Sequence, residues 1–70
     1  MKLEELKHLW EKQVKIVLID RDIIIGRFVS FERAGDSDNG RDNITIETEE
    51  NVLMNVYLDE IKQIGVYKNL

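Results

Sequence analysis

The sequence predicts a mainly β protein: an N-terminal α-helix followed by a five-stranded, strongly bent antiparallel sheet, a small barrel. Three observations carry this prediction. Apolar residues recur at steps of three and four only over residues 2–12. From Gln13 onward the apolar segments are short, rich in β-branched side chains and separated by polar turns. The second of these segments is long and holds a glycine, Gly26, where a small barrel needs to turn a corner.

The elements follow in order. Over residues 2–12, Leu3, Leu6, Leu9 and Trp10 share one helical face, so Trp10 is expected in the core. A helix this short is marginal alone and must dock that stripe on the sheet. Residues 14–19 form the first strand, Asp20-Arg21-Asp22 a turn, and residues 23–32 the long second strand. A polar loop follows over 33–42, with a turn signal at Asn39-Gly40. Residues 43–47 alternate strictly and form the third strand; Glu49-Glu50-Asn51 turns the chain. The fourth strand, 52–58, is apolar on both faces. Val52, Met54, Val56 and Leu58 are expected to face the core, and Leu53, Asn55 and Tyr57 the outside. Asp59-Glu60 connects it to the fifth strand, 61–67. The whole chain, 1–70, reads as one domain, with the helix at 2–12 and the barrel at 13–67.

Composition bounds the function. Ten Lys+Arg against fourteen Asp+Glu give a net charge of -4, which argues against simple electrostatic capture of nucleic acid or an anionic membrane. With no Cys, disulfides, thiolate metal sites and Cys nucleophiles are excluded. No apolar run approaches the length that spans a bilayer, and the charged start of the chain reads as helix rather than signal peptide. No membrane association and a cytoplasmic location are expected. The charge is uneven: residues 32–50 hold seven acids and two bases, while the rest holds seven acids and eight bases. The acidity therefore belongs to one loop and its flanks. Chains this small bury only about 60% of their unfolded surface, so a staple is usual, and here a homo-oligomer is the one left.

Chemical motifs are weak. Asp36-Ser37-Asp38-Asn39-Gly40-Arg41-Asp42 hints at a calcium loop, but Gly40 stands fifth and Arg41 sixth, where the sharp turn needs glycine. His8 is the only histidine. No metal and no cofactor are expected. Ser30 and Ser37 lack a companion His, and the carboxylate pairs Asp20/Asp22 and Asp36/Asp38 lie in wet turns with no cause for shifted pKa values. The protein is not expected to be an enzyme.

Three stretches carry a family likeness: Gly26-Arg27-Phe28-Val29-Ser30-Phe31-Glu32, Asn43-Ile44-Thr45-Ile46, and Val56-Tyr57-Leu58-Asp59-Glu60-Ile61-Lys62-Gln63-Ile64. Their spacing resembles the two motifs of the Sm-like (LSm, Hfq-type) family over roughly residues 2–67; an SH3-like barrel is the other five-stranded architecture open. The resemblance implies an oligomeric ring with single-stranded RNA at its pore. In that family an Asn and an Arg-Gly pair help form the RNA pocket; Asn43 matches, whereas Tyr57-Leu58 stands where Arg-Gly would. Tyr57 can stack on a base, but the guanidinium is missing.

Two functions follow as expectations. One is RNA binding through Asn43, Tyr57, Arg27 and Lys62. The other is a non-enzymatic assembly or adaptor module that has lost RNA binding and contacts protein partners. The residues expected at an oligomer interface are Leu53, Asn55, Tyr57, Val66 and Tyr67, since Tyr is enriched at such surfaces.

Overall fold

A computed structural model of the chain describes residues 2–36 and 40–68. Helix α1 spans Leu3–Leu6 and continues as a 3-10 turn over Lys7–Leu9. The 3-10 turn, at three residues per turn, brings Leu9 into line with Leu6, and Leu3, Leu6 and Leu9 are all buried. The helix thus ends earlier than its apolar stripe suggests. Trp10 takes extended angles (φ -57, ψ 135) and Glu11 a left-handed φ of 67. Trp10 therefore leaves the core and is 49% exposed. Its ring stays anchored: Nε1 donates to the Val29 carbonyl at 3.1 Å, and the ring meets Phe31 edge-on at 5.7 Å.

Five strands follow: β1 (Gln13–Leu18), β2 (Ile23–Glu32), β3 (Asn43–Glu47), β4 (Leu53–Tyr57) and β5 (Ile61–Val66). All pair antiparallel, in the order β4-β3-β2-β1-β5. β1 begins one residue earlier than the sequence reading, at Gln13, and β5 ends one earlier, at Val66; the other strand ends that differ lie at turns. Ile19 leaves β1 because Arg21, at φ 76, donates its N–H to the Leu18 carbonyl and starts the hairpin. Val52 leaves β4 because its N–H closes the turn onto Thr48 Oγ1, with Asn51 at φ 61. Leu58 leaves it because Leu58–Glu60 form a 3-10 corner into β5. Of the loop carrying the Asn39-Gly40 turn signal, residues 37–39 lie outside the described residues; Gly40 has the left-handed φ of 69 that the signal requires.

β2 bends the sheet. Its first half pairs with β1 (Ile23–Arg27) and its second with β3 (Arg27–Glu32). At the hinge, a Cβ on Gly26 would sit 2.5 Å from the Glu47 carbonyl oxygen and 2.6 Å from Ile46 Cγ2, so only glycine fits. A register shift between Phe28 and Ser30 adds a bulge. The concave side packs Phe28, Val14, Ile16, Ile44 and Ile46, each fully buried, against the helix leucines. The inner face of β4 is only half used: Val56 and Leu58 are buried, while Met54 and Val52 are exposed at its far end.

The sheet does not close, because β4 and β5 are both edges. Antiparallel ladders alternate which residues bond to each side. The bonds from Leu58 N–H to the Asp42 carbonyl and from Thr48 N–H to the Val52 carbonyl bracket β4. They leave the backbone groups of Leu53, Asn55 and Tyr57 facing outward. The bond from Tyr67 N–H to the Gln13 carbonyl places those of Ile64 and Val66 outward on β5.

Candidate functional site

The densest polar cluster lies where the 33–42 loop meets the β4–β5 corner. The ladder sets Asn43, opening β3, opposite Tyr57, closing β4. Asp42, one residue earlier, ties the loop down at both ends: its carbonyl accepts from Leu58 N–H at 3.1 Å, and its carboxylate accepts from Ala34 N–H at 2.6 Å. That anchoring throws Arg41 across the corner. Its guanidinium lies 3.8 Å from the Tyr57 ring centroid. It grips Asp59 with two bonds, 3.2 Å from Nε and 2.5 Å from Nη2, and reaches Glu60 at 3.2 Å. Together Ala34, Gly40, Arg41, Asp42, Leu58 and Asp59 line a cleft of about 330 Å³.

Within this cluster the guanidinium and the carboxylates act on one another. The Arg41 hydrogen bond, reinforced by its charge, holds the Asp59 carboxyl below its ordinary range and offsets the desolvation that would raise it. The same bond pushes Arg41 further up. A cation whose N–H donors are already shared by two carboxylates is a poor docking site for phosphate, but a good clamp for the ring beneath it.

Of the four residues expected at an RNA site, Asn43 and Tyr57 are brought together and Arg27 and Lys62 are not. Asn43 is buried to 2%, and its Nδ2 donates to the Arg41 carbonyl at 3.2 Å, holding the loop. Tyr57 lies beside it under Arg41. Arg27 pairs with Glu47 at 3.5 Å, at the opposite end of β3 from Asn43; that is roughly 13 Å of strand. Lys62 lies beyond the corner on β5, exposed. Arg41 is the residue that sequence reasoning missed. Its signal was its place two positions before Asn43, at the mouth of a strand that pairs with Tyr57.

The residues expected at an interface divide between the two edges. Leu53 is 64% exposed, and Asn55, also exposed, accepts from Thr45 Oγ1 at 3.0 Å. Val66, 49% exposed, and half-buried Tyr67 lie at the end of β5. No carboxylate, imidazole and thiol grouping of three or more that could hold a metal occurs among the described residues. No helix among them is long and apolar enough to cross a membrane. Comparison with family models, with curated proteins and with solved structures found no match to this chain.

Proposed function

We propose that the chain is a cytoplasmic, non-enzymatic, Sm-like subunit of a homo-oligomer that works as an assembly or adaptor module for protein partners. The observation that carries this reading is the pair of open edges, of which β4 is free of charge. Edge strands are usually blunted by charge or proline, yet β4 reads Leu-Met-Asn-Val-Tyr, with no charge and with Leu53 outward. β5 offers the outward backbone groups of Ile64 and Val66 beside an exposed valine side chain. The β4 of one copy laid on the β5 of the next completes both ladders. That contact is head to tail, so it closes a ring or extends a filament. Light scattering on the intact chain and on Leu53→Lys tests it: an assembly that the variant breaks is expected, and a single-chain mass for the unaltered protein contradicts it.

A second reading, single-stranded RNA binding, is favoured by one observation: an amide, an aromatic ring and a guanidinium meet at Asn43, Tyr57 and Arg41. Against it stand the carboxylates on Arg41 and the dispersal of Arg27 and Lys62. Fluorescence anisotropy with a uridine-rich oligonucleotide at low salt separates the two. Binding that weakens with salt and with Tyr57→Ala favours RNA; its absence leaves the adaptor reading.

A further inference from the structure

Beyond the two edges that the assembly uses, the sheet has a third opening, in the first half of β2. Residues Ile23 to Ile25 pair with β1 only, since the β3 ladder begins at Arg27. The side on which their backbone groups point follows from the neighbouring bonds. The Asp22 carbonyl accepts from Leu18 N–H, and Phe28 exchanges bonds with Lys12 and Glu11 on the β1 side. Alternation then turns the N–H and C=O of Ile23 and Ile25 away from β1. No hydrogen bond to those four groups occurs among the described residues outside the β1 ladder. They border a cleft of about 320 Å³, whose walls include Met54, Tyr67, Glu49 and Glu50.

The opening is both apolar and acidic. Ile23 is 55% and Met54 38% exposed. Glu49 and Glu50, both exposed, stand on the β3–β4 turn at its rim, and no ion pair to either occurs among the described residues. Among the described residues, no lysine or arginine lines the cleft. An extended backbone can complete this ladder, apolar side chains can cover Met54 and Tyr67, and cationic ones can meet the two glutamates.

We propose that this cleft is a docking site for an extended protein segment alternating apolar with Lys or Arg side chains, which adds as a short strand along Ile23–Ile25. The inference rests on the adaptor reading and names the chemistry of its partner. The occupant is a basic segment because the rim is acidic and uncompensated. It is a strand because unpaired backbone groups, rather than a pocket for one side chain, form the wall.

The test uses the full chain and a dye-labelled hexapeptide of alternating valine and lysine, read by fluorescence anisotropy at low salt. Binding is expected, with affinity about tenfold lower in the double variant Glu49→Lys/Glu50→Lys. Amide exchange in the saturated complex should protect the N–H groups of Ile23 and Ile25. A valine–glutamate or serine–lysine hexapeptide that binds as tightly overturns the proposal. So does protection confined to Leu53 and Asn55, or a uridine-rich oligonucleotide that protects Ile23 and Ile25 in the peptide's place. Particle mass, measured on the same samples, keeps the two readings apart. An oligomer that leaves the valine–lysine peptide unbound overturns the docking site and leaves the assembly standing.

Discussion

Two single residues hold the geometry. Gly26 lets β2 bend because nothing larger fits under the Glu47 carbonyl. Gly26→Ala should therefore cost about 2 kcal/mol in urea unfolding, since a backbone oxygen cannot swing aside as a side chain can. An unchanged midpoint would mean that the hinge relaxes freely. Arg41 holds the corner. Because it depresses the Asp59 carboxyl below its ordinary 3.8, the sign of the pH effect is fixed. The stabilisation is fully present above the unfolded value and is lost as pH falls through the lower, folded one. Asp59→Asn should thus be less stable than the parent at neutral pH, and thermal melts should show the gap narrowing in acid. Salt should shrink it as well, because the pair is exposed. At this scale the sequence was half legible. A glycine inside a strand announces a close approach, and Gly26 made one. The Arg41–Tyr57 stack joins residues sixteen apart, and only the strand register brings them together.

Elements were more legible than contacts. β2 and β3 fall where the sequence reading set them, because their patterns are bounded by strong turn residues at both ends. The helix is shorter than its apolar stripe for a physical reason: one α-helical turn and one 3-10 turn already bury Leu3, Leu6 and Leu9 without Trp10. Glu11 leaves the helix with a left-handed φ of 67, while Glu4, inside it, finds Arg33 at 3.0 Å. This short element seals one end of the core. Leu6→Ala should accordingly lower stability by about 3 kcal/mol in urea unfolding, and a loss under 1 kcal/mol would show that the helix is dispensable to the core. On β4 the expectation differs in kind. Leu53→Lys touches no core residue, so the subunit's circular dichroism should stay the same while the assembly falls apart by size-exclusion chromatography. Retained assembly in that variant would move the interface elsewhere.

At the scale of the whole molecule, one bent sheet that turns ladder groups outward on β4, β5 and the first half of β2 among the described residues is the defining feature. A chain of seventy residues closes a modest core and leaves these groups outward. Small size with no other staple, together with the family resemblance, predicts an oligomer; the strand order supplies the surfaces on which it would form. What stayed out of reach is the function of the corner, because loop closure over Tyr57 depends on tertiary contacts that no local pattern encodes. The central claim is that the two outer edges complete each other between copies. Light scattering at micromolar concentration tests it most directly. The expected mass is a defined multiple of the 8.2 kDa chain mass, reduced to one chain by Leu53→Lys; a mass of one chain for the unaltered protein would refute edge-to-edge assembly.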